Sequence, residues 1–317
     1  MASSGWTVGQ IPAQDGKTVV VTGANSGIGF QAALELARRG ARVLLGCRNY
    51  AKGQAALDGL LREVPGASAE LVELDMASLA SIRGFAAEFA GRGIALDVLV
   101  NNAGVMALPK REVTADGFER QFGTNHLGHF ALTGLVMPQL LQAAAPRVVT
   151  VASLAHRNGK IDFANLQSER GYKPWGAYGE SKLANILFAR ELERRAKAAH
   201  SKLMSVPVHP GVSQTSIVAN GPGASDVKTR VLFTFAKFLT SKDAEGAWPT
   251  LYAATSTAVR GGDYIGPSGF MEFKGVPTVV QPRANGLDEK VGERLWTVSE
   301  ELTGVRYPPL GEVGVEK

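Results

Sequence analysis

The chain has 317 residues, 45% of them hydrophobic, with 34 lysines and arginines against 29 acidic residues. That is enough apolar content for one large α/β domain, and the cationic excess is scattered along helical stretches without a long basic run, which argues against nucleic acid as a partner. The single cysteine, Cys47, excludes an internal disulfide and a cysteine-based metal centre. No stretch reaches the ~18 consecutive apolar residues of a membrane span, and residues 1–16 lack the charged start and apolar run of a secretory signal, so a cytoplasmic location is expected.

In chain order, β-branched runs at 18–22, 42–45, 69–74, 97–101, 147–151 and 203–208 alternate with helical patterns, and a seventh short run lies near 263–265. Unbroken apolar strands separated by helices predict a Rossmann-like, doubly wound parallel sheet of six to seven strands, buried on both faces. A helix is expected over 31–39, closed by Gly40, and a long one over 178–198. No repeat or linker interrupts the chain, which reads as one domain over 1–317 with a cofactor-binding part at about 16–150 and a catalytic and substrate part at about 151–317. Residues 214–241 carry Gly221, Pro222 and Gly223 and then an apolar run at 231–239, the look of a lid.

The first strand runs into Thr22-Gly23-Ala24-Asn25-Ser26-Gly27-Ile28-Gly29. A strand, a glycine-rich turn and a helix start form a phosphate cradle, because the turn brings backbone close to a pyrophosphate and the helix presents unpaired amides; an ordinary turn is the plainer alternative. The second strand ends Leu44-Leu45-Gly46-Cys47-Arg48-Asn49 with no acid to accept ribose hydroxyls. Arg48, assisted by Ser26 or Asn49, suits a 2′-phosphate and so predicts NADP(H), unless Arg48 is a solvated surface arginine.

Tyr178 and Lys182 stand four apart on a predicted helix and share a face. A phenol with a pKa of about 10 needs help to exchange protons near neutrality, and positive charge from Lys182 and an oxidised nicotinamide would supply it. His126 and His129 are three apart, but no acid or cysteine set completes a metal site, and no metal is expected.

These motifs together resemble the short-chain dehydrogenase/reductase family, and most closely its retinol dehydrogenase-like branch. The resemblance rests on Gly23, Gly27 and Gly29 at their spacing, on 124–130 with its Asn125, on Ser153-Leu154-Ala155-His156, and on Tyr178-x-x-x-Lys182. It implies that Tyr178 transfers the proton, Ser153 steadies the substrate oxygen, Lys182 also binds the nicotinamide ribose, and Asn125 holds a relay water. It further implies that Asp75 and Met76 lie by the adenine, that Asn102, Ala103 and Gly104 line the adenosine and ribose region, and that Pro210, Gly211, Val212 and Thr215 hold the carboxamide. The implied activity is carbonyl–alcohol interconversion on a small molecule. Met106, Leu108, His156, Trp175 and the run at 231–239 are candidate walls of an apolar pocket. A protochlorophyllide reductase-like double-bond reductase and a non-catalytic redox sensor are the alternatives, and relatives that assemble through long helices leave a homo-oligomer open.

Overall fold

The computed structural model describes residues 5–212 and 242–311. Among them, eight strands form one sheet in the order β3-β2-β1-β4-β5-β6-β7-β8. They are β1 (Thr18–Thr22), β2 (Arg42–Cys47), β3 (Ala69–Glu73), β4 (Val98–Asn101), β5 (Arg147–Val151), β6 (Met204–Val208), β7 (Tyr264–Pro267) and β8 (Pro277–Val280). The first seven run parallel, and β8 returns antiparallel to β7.

The helices are α1 (Gly27–Arg38), α2 (Tyr50–Glu63), α3 (Leu79–Gly91), α4 (Arg120–Phe122), α5 (Gly128–Leu135), α6 (Met137–Leu141), α7 (Pro174–Ala198), α8 (Asp243–Gly246), α9 (Trp248–Thr255) and α10 (Glu289–Thr303). Alternate side chains of β1 enter different cores. Val19 and Val21 pack with α1, α2 and α9, through residues such as Leu36, Leu60 and Leu251, whereas Val20 faces Phe85 of α3, Phe130 of α5, Phe188 of α7 and Trp296 of α10. Burial on both faces explains why the central strands carry no polar alternation. The outer side of α7 is covered by α10, where Trp296 stacks on Phe188 and the Arg195 guanidinium lies 4.4 Å from the Trp296 ring centre.

Strand β1 lies between β2 and β4, so the chain winds outward in both directions from this pair and a crevice opens at the carboxyl ends of the strands. The expected strands are all present, with an eighth besides. Strand β8 is a four-residue edge beginning at Pro277, a residue that an edge tolerates because its missing N–H faces no partner. Two helices begin earlier than their apolar patterns predict: α1 starts within the glycine turn at Gly27, and α7 starts at Pro174, whose fixed φ suits a first helical turn. Thr215, the lid segment 214–241 and its apolar run lie outside the described residues.

Candidate active site

The glycine turn is fastened to its neighbours by the protein's own hydrogen bonds. The Gly23 N–H donates to Gly46 O at 2.8 Å, and Asn102 Nδ2 donates to Thr22 O at 2.8 Å. A Cβ on Gly23 would stand 2.9 Å from Ala103 Cα, and one on Gly29 would stand 2.4 Å from Asn102 Nδ2, so both glycines are required by the approach of the β4 end. Gly27 turns the chain with a φ of 59°. Ser26 occupies the N-cap of α1 without capping it, and Gly27, Ile28 and Gly29 face a cleft. This donor set fits a dinucleotide pyrophosphate, which would take the place of the missing cap.

The cleft has a volume of about 750 Å³ and runs from the glycine turn, past Asn102 and Gly104, to Ser153, Tyr178 and Lys182 on one side and Pro210, Gly211 and Val212 on the other. Ser153 ends the extended backbone after β5 and caps the short 3-10 turn Leu154–Asn158, accepting the Ala155 N–H at 3.2 Å. Burial raises the pKa of the Tyr178 phenol, and Ser153 lowers it by less. The net direction is upward. Lys182 Nζ lies 5.8 Å from the Tyr178 ring centre and donates to Val151 O at 3.0 Å, and its burial brings the ammonium down to about 8.

Asn125 lies behind the cleft in a wide π-helical turn, Gly123–Leu127, between α4 and α5. Its amide is fully engaged: Oδ1 accepts Val105 N–H at 2.8 Å, and Nδ2 donates to Val105 O and to Ser181 Oγ, both at 2.9 Å. It thereby ties the loop after β4 to α7. Thr22 Oγ accepts the N–H groups of Asn102 and Ala103, each at 2.9 Å, and meets His129 Nε2 at 2.9 Å.

The short chain dehydrogenase family profile matches residues 17–222. Over 294 residues the chain is 42% identical to retinol dehydrogenase 12 of Homo sapiens, covering 92% of this chain and 88% of that one. This chain belongs to the short-chain dehydrogenase family. Within the family it is retinol dehydrogenase-like, and it is also 38% identical over 301 residues to polyprenol dehydrogenase of Mus musculus, covering 93% of this chain and 86% of that one. A crystal structure of an uncharacterized protein from Mycobacterium paratuberculosis matches with a TM-score of 0.78 and 40% identity, over 96% of this chain and all (100%) of that one. A short chain dehydrogenase from Shigella flexneri, solved with NADP, shares the fold at a TM-score of 0.61 and 23% identity, over 80% of this chain and 98% of that one.

In this dehydrogenase the remaining candidates separate by position. Arg48 is exposed directly after β2, beside the turn that Gly23 ties to Gly46, and makes no ion pair among the described residues. Asn25, Arg48, Asn49, Asp75, Met76 and Ala103 do not themselves line the cleft. Asn49 caps α2 through its oxygen, Asp75 caps its own turn at Ala77 N–H, and Met76 is buried. Of the proposed pocket walls, Met106 and Trp175 line the cleft, with Trp175 packed edge-on to Tyr178 at 6.0 Å. Leu108 and His156 do not: Leu108 O accepts the Tyr172 hydroxyl, and His156 is buried with Nδ1 against Ser153 O.

His126 and His129 are buried and held neutral, with pKa values brought down by burial to about 3 and about 4, and the described residues contain no cluster able to hold a metal. Cys47 is buried in β2 and does not line the cleft, its thiol pushed up to about 11 by burial. No helix among the described residues is long and apolar enough to cross a membrane. Sequence reading missed Val105, Leu154, Ala155 and Asn158 as cleft residues. Their closeness to Gly104 and Ser153 in the chain was the available signal.

Proposed function

We propose that this oxidoreductase uses NADP(H) to interconvert a carbonyl and an alcohol on an apolar small molecule. The observation that carries this reading is one continuous cleft that joins uncapped helix amides at Gly27–Gly29 to Ser153, Tyr178 and Lys182. One sheet supplies both halves of that cleft, which supports reading the chain as a single domain.

A bound nicotinamide supplies or takes the hydride. In the reducing direction, the Tyr178 hydroxyl gives its proton to the carbonyl oxygen as charge develops there, and the Ser153 hydroxyl, which lines the same cleft, steadies that oxygen. Lys182 uses one N–H on Val151 O, which leaves two for ribose hydroxyls and for proton exchange with the phenol. Its positive charge, with that of oxidised nicotinamide, offsets the burial that otherwise keeps Tyr178 protonated. Asn125 fixes the loop after β4 against α7, and the relay water is assigned beside it.

Asp75 and Met76 are assigned to the adenine end, Asn102, Ala103 and Gly104 to the adenosine ribose, and Pro210, Gly211, Val212 and Thr215 to the carboxamide. Arg48 is assigned to the 2′-phosphate, since its position beside the glycine turn and the lack of an acid at the end of β2 favour a phosphate there. Met106 and the Trp175 face give the substrate end an apolar character, in keeping with relatives named for retinol and polyprenol.

NADPH consumption with a panel of apolar aldehydes and ketones tests the reading directly. Tyr178→Phe should lower kcat by on the order of 10²- to 10⁴-fold while NADPH binding stays nearly intact. Substantial turnover by that variant would remove Tyr178 from the mechanism. Arg48→Asp should reduce the preference for NADPH over NADH by about ten- to a hundredfold, the worth of a lost charged hydrogen bond plus repulsion. An unchanged preference would return Arg48 to the solvated surface.

A further inference from the structure

Strand β7 runs parallel to the rest of the sheet and β8 runs back, so the turn between them, residues 268–276, lies at the same carboxyl edge as the cleft. Within it, Met271 and Glu272 have φ values of 51° and 61°, two successive non-glycine residues in the left-handed region. Such backbone persists only where its surroundings fix it. Apolar burial does not fix it here, since Phe270 is 78% and Met271 54% exposed. Backbone hydrogen bonds close the turn, Gly269 N–H to Lys274 O at 3.0 Å and Glu272 N–H to Gly269 O at 2.9 Å, and the Glu272 carboxylate ties it to the cleft: Oε1 lies 2.7 Å from Arg157 Nη2, and Oε2 lies 2.9 Å from His209 Nε2.

Each partner leads to a different wall of the cleft. Arg157 belongs to the turn Leu154–Asn158 that begins right after Ser153, and Leu154, Ala155 and Asn158 of that turn line the cleft. His209 is wholly buried after β6, and its Nδ1 accepts the Gly211 N–H at 3.2 Å. With Nδ1 accepting, Nε2 carries the proton that Glu272 receives, so both ring nitrogens of the neutral imidazole are used. The next residue of the turn completes the grip: Phe273 O accepts the Val212 N–H at 2.9 Å, and a Cβ on Gly211 would stand 2.3 Å from that oxygen.

We propose that Glu272 is a positioning residue whose carboxylate joins the two walls of the cleft, the Ser153 side through Arg157 and the Pro210–Val212 side through His209, and so sets their separation around the nicotinamide half of the dinucleotide. The assignment rests on reading the cleft as a dinucleotide site. It makes Glu272 act on one end of the cofactor only, because the glycine turn and Arg48 are anchored through β1, β2 and β4 without it.

The test compares two ligands by fluorescence or calorimetric titration: NADPH, which fills the whole cleft, and adenosine 2′,5′-bisphosphate, which fills the adenosine end alone. NADH and AMP serve as the parallel pair. Glu272→Gln and, separately, Arg157→Gln should each weaken the dinucleotide about tenfold, the scale of one charged hydrogen bond, and leave the adenosine fragment unchanged. The double variant should be no weaker than either single one, because both break one bridge. A purely structural contribution would move both ligands together or neither. The proposal is overturned if both variants keep the dinucleotide affinity of the wild type, or if fragment and dinucleotide weaken in parallel in both. Failure of the wild type to bind either dinucleotide overturns the reading of the cleft, and this proposal with it. Binding by the wild type with no effect of the variants overturns the proposal alone.

Discussion

Thr22 carries a hydroxyl whose bonds fix the protonation of a neighbour. His129 Nδ1 faces the Asn125 carbonyl at 2.9 Å, which can only accept, so Nδ1 holds the ring proton and Nε2 must accept from Thr22. The Thr22 oxygen is then free to receive the Asn102 and Ala103 N–H groups. Burial, which brings His129 down to about 4, keeps this arrangement in force through neutral pH. Thr22→Val, nearly the same in shape, would leave the half-buried Ala103 N–H and the buried His129 ring nitrogen without this partner, while the Asn102 N–H keeps Val100 O at 3.0 Å, and should destabilise the protein by about 2–4 kcal/mol in a denaturant titration. Thr22→Ser keeps the hydroxyl and should cost about 1 kcal/mol or less. A larger loss in Thr22→Ser than in Thr22→Val would show that the methyl group, not the hydrogen bonds, matters at this site.

At the scale of an element, α7 is buried along most of its length and carries the acid Glu180 two residues after Tyr178. Glu180 Oε1 accepts the Asp162 N–H at 2.9 Å and so pins the loop after the Leu154–Asn158 turn to the helix. Burial, with the Asp162 and Glu119 charges adding, pushes its pKa up from 4.5 to about 7 against the lowering effect of that hydrogen bond. The folded protein then holds this proton more tightly than the unfolded chain. Stability from this group therefore falls as pH rises from about 4.5 to about 7 and stays reduced above. Glu180→Gln keeps the acceptor and loses the titration, so it should raise Tm at pH 8 more than at pH 5. Equal shifts at the two pH values would contradict the burial account.

The same scale separates what could be read in the sequence from what could not. Strands such as β1, β4 and β5 are legible because burial on both faces writes unbroken runs such as Val19-Val20-Val21. Strand β8 is not, because Pro277-Thr278-Val279-Val280 is short, starts with proline and leaves Val279 exposed, which is what an edge permits and what a pattern search discounts. In the site, Gly23, Tyr178 and Lys182 announce themselves by local spacing, and Ser153 by family resemblance. The Glu272 bridge has no such signature: its partners His209 and Arg157 stand far from it in the chain, and only the return of β8 brings the turn back to the cleft. The pull of burial on Tyr178 was illegible for the same reason, since it depends on what closes over the ring.

Across the whole molecule, the sheet places its most enclosed strands in the middle and its weakest at one side. β1, β4, β5 and β6 are flanked on both edges and covered on both faces, whereas β8 has one neighbour and a half-open surface. Amide hydrogen exchange should follow that order, slow enough in the centre to require global opening and fast in β8 and the adjoining turn, where local opening suffices. The turn that grips Gly211 and Val212 is thus attached to the part of the sheet that opens most readily. Filling the cleft with NADPH should accordingly slow exchange at 268–280 by more than it slows the already protected centre, and unaltered exchange there would detach the edge of the sheet from the ligand. A four-residue strand at the rim then acts as a reporter: its protons, read by mass, would register occupancy of a cleft it never lines.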